Sequence, residues 1–262
     1  MISGSDVEGR LAVGRDAAII TAWSVAQGTS FKCGAQYAMI VNGMLTWPGD
    51  GGIGCVGING KQIVAGETDG EIKEYLRQVI QVQPGYLDWI KINGAMRYLS
   101  CHINSMAQSG TVARLSDRPN VIRLGCGDGN LLVYVFQFEA SNLRNVAFES
   151  ECNDRTTLLI NVAGQLVHLS GDLSDKLISF APRLIWNFFE ATTINIHDIG
   201  LQGTVLAPYA AFVEPQGVIW GHVFAESYSG CFNSPSMRCP AMQINWVPWI
   251  GCIPIGTSSH TK

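Results

Sequence analysis

The sequence predicts a mainly β protein with one or two helices packed alongside, and three observations predict it. Glycine is abundant, 29 of 262 residues, while charged residues reach only 15%, against about 25% in an ordinary soluble domain. Apolar residues fall in runs of about four to seven, mostly bounded by turn residues, a length typical of strands. A short pattern also recurs: Gly203-Thr-Val-Leu-Ala207 and Gly221-His-Val-Phe-Ala225 match at a spacing of 18 residues, and Gly9-Arg-Leu-Ala-Val13 has the same form. A period of this size suits one turn of a parallel β-solenoid with small inward residues. An all-β sandwich with chance likeness among strands is the alternative reading.

Residues 1–65 read as short strands at Arg10–Val13, Ala18–Ala22, Tyr37–Val41 and Val56–Ile58, punctuated by glycine. Glu71–Val82 carries apolar residues at Ile72, Leu76, Val79 and Ile80, a helical spacing that Pro84-Gly85 ends. A second helix over about Ile92–Gln108 puts Met96, Leu99, Ile103 and Met106 on one stripe. Strands resume at Val121–Leu124, Leu131–Phe138, Thr157–Val162, Gln165–Leu169, Leu184–Phe188, Ile194–Ile196, Thr204–Ala207 and Val218–Ala225. Alternation in the repeat strands sends Leu11/Val13, Val205/Ala207 and Val223/Ala225 to one face, and Ala12, Leu206 and Phe224 to the other. No linker or charge block divides the chain. The reading is one β domain over residues 1–230 with a helical insertion at about 71–108, then a Cys/Pro/Trp-rich cap or tail over 231–262.

Composition excludes several function classes. A net charge of −4 offers no basic field for nucleic acid or an anionic membrane surface. The longest apolar stretch is far short of the ~20 residues of a spanning helix. No signal-peptide pattern is visible in the first sixteen residues. Eight cysteines permit four disulfides; Cys231 and Cys239 bracket a polar Pro-containing loop and form the first candidate pair, while free buried thiols are the competing reading. No zinc-ligand spacing occurs, and no cofactor or metal is expected.

Ordered blocks along the chain resemble the choice-of-anchor A domain family. They are Ser5-Asp-Val-Glu-Gly-Arg-Leu-Ala-Val-Gly14, Leu158-Leu-Ile-Asn-Val-Ala-Gly164, Leu184-Ile-Trp-Asn-Phe-Phe-Glu-Ala-Thr-Thr193, Gly200-Leu-Gln-Gly-Thr-Val-Leu-Ala-Pro208 and Gly217-Val-Ile-Trp-Gly-His-Val-Phe-Ala-Glu-Ser227. The resemblance covers roughly residues 4–230. It implies an ice-binding-like right-handed β-solenoid with a helix alongside, in an extracellular, cell-wall or particle-surface protein that adheres to cellulose- or chitin-like polysaccharide. The C-terminal turn of that family is replaced here by Cys231-Phe-Asn-Ser-Pro-Ser-Met-Arg-Cys239.

Catalytic chemistry has little to stand on. Asp6 and Glu8 are two apart on one strand and could form a dyad, but Glu8 and Arg10 share the same spacing and read as a structural ion pair. Glu139, Glu149/Glu151 and Asp172/Asp175 are further carboxylates with no partner pattern, and no Ser-His-Asp or P-loop motif is present. The expectation is therefore a noncatalytic binding module. Aromatic rings meet flat sugars at low entropy cost, which makes Trp23, Tyr209, Trp220 and Tyr228 the candidate carbohydrate contacts. A self-assembling coat, tegument or filament subunit stabilised by cysteines is the alternative, a homo-oligomer whose partner is another copy. A polysaccharide-active enzyme ranks below both.

Overall fold

The computed structural model describes residues 5–20, 23–27, 36–54, 61–170, 175–230 and 242–254. Strand outweighs helix, 47% to 15%, so the chain is mainly β. Strands are numbered in chain order. A six-stranded sheet holds β1 (Ser5–Val7), β4 (Trp23–Val25), β6 (Gly51–Ile53), β17 (Ile199–Gln202), β19 (Gly217–Trp220) and β21 (Met242–Asn245). Its order is β17-β19-β21-β1-β4-β6, with every pairing parallel. Strands from the two ends of the chain thus meet mid-sheet, Val7 opposite Ile244.

A second parallel sheet holds β2 (Leu11–Val13), β3 (Ala17–Ala18), β5 (Met39–Thr46), β7 (Ile63–Thr68) and β8 (Ile80–Val82). The third and largest holds β11 (Val133–Glu139), β13 (Thr157–Ala163), β14 (Leu166–Ser170), β15 (Leu184–Asn187), β16 (Thr193–His197), β18 (Thr204–Val213) and β20 (Val223–Ser229), again all parallel. In this sheet β18 bends: its first half pairs with β15 and its second half with β16. β20 follows it across the same register shift, between Ala207 and Ala211. The sheet therefore curls into two faces. A small sheet at one end holds β9 (Thr111–Arg114), β10 (Val121–Gly125) and β12 (Ala147–Ser150), where β9 is antiparallel to β10.

Parity along the strands follows the alternation read from the sequence. Val205 and Ala207 lie in the main core with Trp186, Phe136 and Phe212, and Val223 packs against it. Leu11 and Val13 pack against a second core with Val7, Trp23 and Trp47. Leu206 points the opposite way, into a third cluster with Val135, Leu159, Ile185 and Ile103. Ile103 belongs to α2 (Trp89–Ser105), which is capped by the Asp88 carboxylate accepting from Lys91 N–H. The expected stripe, Met96, Leu99, Ile103 and Met106, is the face that packs on the sheet.

The first expected helix is shorter than its spacing suggests. Only α1 (Glu74–Arg77) is helical, and Ile80–Val82 becomes β8 because it pairs with Ile63–Ala65 of β7. Sheet pairing overrides a weak local propensity here.

Two polar clusters hold the packing in place. Between α2 and the large sheet, Ser100 Oγ donates to Asn187 Oδ1 at 2.6 Å, Asn187 Nδ2 donates to Asn161 Oδ1 at 2.7 Å, and Asn161 Nδ2 donates to Ile103 O at 3.0 Å. All three side chains are buried. At the small sheet, Glu149 accepts from Lys176 at 2.5 Å and from Arg118 at 2.6 Å, which tie β12 to the 3₁₀ turn at Asp175–Arg183 and to the β9–β10 loop. The Cys126–Cys152 disulfide closes the same end across 26 residues. That pairing was one of many open to the sequence; Cys231 and Cys239 lie outside the described residues.

Replacing Asn187 with Ala leaves the Asn161 and Ser100 groups buried without their partner. The expected loss of stability is about 1–3 kcal/mol in a urea titration, with far-UV circular dichroism unchanged. The hydrogen bonds from Lys176 and Arg118 pull the Glu149 carboxyl down from 4.5 to about 2. A depressed carboxyl stabilises the fold above its unfolded value and ceases to do so as pH falls through the folded one. The stability advantage of the native chain over Glu149→Gln is therefore expected to hold at pH 6 and shrink between about pH 4.5 and 2.

Candidate functional site

The feature that separates one surface from the rest is the outward side of β14, β16 and the second halves of β18 and β20. Along β14 the inward residues are Val167 and Leu169, fully or almost fully buried, as are Ile194 and Ile196 of β16 and Phe212 of β18. The residues between them turn outward and stack in register. Leu166 lies opposite Thr193, Thr193 opposite Ala211, and Ala211 opposite Ser227. A second row runs through His168 and Asn195, with Val213 opposite Ser229; a third pairs Ser170 with His197. These outward positions include no Asp, Glu, Lys or Arg. At about 4.8 Å per strand the four strands present a strip roughly 14 Å across. Asn195 Nδ2 and His168 Nδ1 are 3.3 Å apart within it, so the polar groups are partly spent on each other.

Tyr209 stands at the edge of this strip, at the corner of β18, and is 43% exposed. Its ring is braced by Arg97 of α2, whose guanidinium lies 4.9 Å from the ring centroid. Arg97 also pairs with Glu226 at 3.4 Å, and Glu226 with Arg15 at 3.1 Å. On the far edge Asp198 and Glu214 follow β16 and β18 with φ of 49° and 45°, left-handed corner conformations.

The four aromatic candidates separate in space. Tyr209 rims the strip. Tyr228 turns inward opposite Phe212 and packs on both cores, and burial pushes its hydroxyl up to about 12. Trp220 belongs to the six-stranded sheet, half-buried over Gly200. Trp23 is a correction: at 5% exposure it is a core residue of the second cluster, because its strand position turns it inward with Val7 and Val25.

The Glu8–Arg10 pair is also placed differently. Glu8 accepts from the Trp246 backbone N–H at 3.1 Å, while Arg10 is exposed and outside ion-pair distance of it. Asp6 accepts from Gln243 at 3.3 Å. Both carboxylates thus tie the N-terminal strand to β21. Glu149 and Glu151 are bound by arginines, and Asp172 lies outside the described residues. Among the described residues no three His, Cys, Asp or Glu side chains converge as metal ligands, and no helix is long and apolar enough to cross a membrane.

The outward rows escaped the sequence reading, which took β14 and β16 as strands without assigning their faces. The signal was available in the period of two at Leu166/His168/Ser170 and Thr193/Asn195/His197. Their stacking into one strip was not, since register across strands is a tertiary property.

The outward rows thus form a parallel-β strip free of Asp, Glu, Lys and Arg, rimmed by a braced aromatic ring. The chain belongs to the ice-binding-like adhesive domain family, whose model matches residues 1–234. Comparison with curated proteins and with solved structures returns no match.

Proposed function

We propose that this chain is a noncatalytic adhesive module at a cell, wall or particle surface, and that the β14–β16–β18–β20 strip binds an uncharged wall polysaccharide of cellulose or chitin type. The body that carries the strip is read as a right-handed parallel β-solenoid, in which each turn lays one strand on each face. The observation that supports the reading is the absence of Asp, Glu, Lys and Arg from the stacked outward rows. Docking a neutral sugar face on such rows desolvates no carboxylate, ammonium or guanidinium group, whereas a single unpaired charge of that kind would oppose contact. The rows are rigid because their backbones are paired on both sides over β16 and β18, so little ordering entropy is lost on binding. Tyr209 supplies an aromatic face of the kind that stacks on sugar rings.

Depletion from solution by microcrystalline cellulose and by chitin tests this. The native chain is expected to bind at least one of them, Thr193→Arg and Ser227→Arg to reduce binding about tenfold or more, and Tyr209→Ala to reduce it less. Trp220→Ala, on another sheet, is expected to bind as the native chain does. Binding to both materials no greater than that of a control protein sinks the proposal.

One observation favours a second reading, a coat or filament subunit linked to its own copies. Cys101 and Cys252 are exposed and unpaired. A monomer at high concentration by light scattering, unchanged by reductant on a gel, ends that reading.

A further inference from the structure

The outward face of β11 and β13 runs further than α2 does. The helix covers Val135 and Leu159 and ends at Ser105. Gln137 and Glu139 follow Val135 at alternate positions of β11, so they continue the same face, with Ala163 of β13 opposite Glu139. The chain leaving α2 crosses to this end, where Gly110 N–H bonds Val135 O, and enters β9. Arg114 of β9 stands opposite Ile122 of β10, whose side chain lies in the main core. Arg114 and Val112 are therefore on the side of β9 turned toward the body. Between β9 and β11 a cleft of about 330 Å3 is left, lined at depth by the buried Ile122 and Phe138. Clefts that hold small ligands span about 300–1,000 Å3.

Every wall of this cleft belongs to a described element. Ser170, where β14 ends, lies beside Asn145 at the far end of its face, and Lys176 is held by Glu149 of β12, the opposite edge of the end sheet from β9. The polar groups on the walls are unevenly engaged. Arg114 Nη1 donates to Pro119 O at 3.1 Å and Nη2 to Asn142 O at 3.3 Å. Two carbonyls thus hold the guanidinium in place without compensating its charge. Gln137 and Glu139 make no side-chain hydrogen bond or ion pair, although both line the same space. A fixed cation, an unspent carboxylate and a free amide therefore share one cleft, beside the apolar Val112 and Ala163.

We propose that the cleft binds one residue of a soluble saccharide through a pair of neighbouring hydroxyls. A hydroxyl both donates and accepts. Toward Glu139 it donates, toward Arg114 it accepts, and the amides of Gln137 and Asn142 can meet it in either role. A hydroxyl pair thus satisfies both charged walls without bringing a charge of its own. A simple anion is opposed by Glu139 and a simple cation by Arg114, because each meets a like charge on one wall. Val112 and Ala163 give the C–H face of a pyranose an apolar counterpart, the usual mix of such clefts. The cleft lies on the α2 face of the large sheet, apart from the outward strip, so either proposal can fail without the other.

Titration of the isotope-labelled full chain with methyl glucoside, methyl galactoside, methyl mannoside and N-acetylglucosamine, followed by amide resonances, tests it. At least one of these sugars is expected to shift the Val112, Arg114, Gln137 and Glu139 amides progressively. Glu139→Gln is expected to weaken that binding about tenfold or more, since it replaces a charge-assisted hydrogen bond with a neutral one. Gln137→Ala is expected to weaken it about threefold. Both side chains are exposed and unbonded, so both variants keep the native melting temperature, which separates lost binding from lost folding. Thr193→Arg, on the strip, leaves the titration unchanged. No shift at these amides with any of the sugars overturns the proposal, as does a titration that Glu139→Gln does not weaken. Shifts produced by glycylglycine, a zwitterion, and by none of the sugars overturn it too.

Discussion

The buried polar ladder from Ser100 through Asn187 to Asn161 is the contact on which the placement of everything around α2 depends. The outward face of β11, β13, β15 and β18 is apolar at Val135, Leu159, Ile185 and Leu206, and needs cover. Apolar contact alone would let a helix slide along such a face, since dispersion and burial are non-directional. The amides remove that freedom. Asn161 and Asn187 stand opposite one another on adjacent strands, and each also bonds a backbone carbonyl of α2, Ile103 O and Ser100 O. A shift by one helical residue would leave buried donors unpaired, each at a cost of about 1–3 kcal/mol. With α2 held there, Arg97 falls over Tyr209 and within reach of Glu226. The Tyr209 rim of the outward strip is thus positioned from the opposite side of the corner.

How much of this was legible in the residues can be followed case by case. The repeat glycines stand one or two residues before the strands they introduce, and the structure supplies the reason. A Cβ on Gly221 would come within 2.3 Å of the Gly203 carbonyl oxygen, and Gly203 itself has φ of 102°. Stacked corners approach too closely for any side chain. The distant echo at Gly9 has a different cause, the ring of Trp246. Inward and outward assignments at Leu11, Val205 and Val223 hold because a period of two needs no tertiary knowledge. Trp23 was misplaced because a tryptophan's type does not disclose its face, and its strand is too short for alternation to show. The Cys126–Cys152 bond was hidden by the number of possible pairings. Its cysteines meet because β10 and β12 are adjacent in register, Leu124 opposite Ser150.

Scarcity of charge also acquires a location. Many of the ion pairs gather at the small end sheet, where Glu149 and Glu151 meet Arg118, Arg123 and Lys176. That end is where the parallel stack stops and an antiparallel strand, β9, covers it; all four of its residues are exposed. A stack of parallel strands would otherwise end on a bare edge open to further pairing, and charged side chains on and beside the last strands oppose it. The broad faces need no such guard, because α2 covers one and the outward rows of another carry mostly small and polar groups beside Leu166 and Val213. The low overall charge is therefore a consequence of where a stacked-strand body places its surface.

Among the described residues, backbone pairing between β1 and the C-terminal strands of the six-stranded sheet runs through the register pair Val7–Ile244 of β1 and β21. Glu8 N–H to Ile244 O, the Glu8 carboxylate to Trp246 N–H and Gln243 to Asp6 reinforce that joint. Paired carboxylates near the start of the chain, which resemble a catalytic dyad in sequence, are thus best understood as a fastening of β1 to β21 and the residue that follows it.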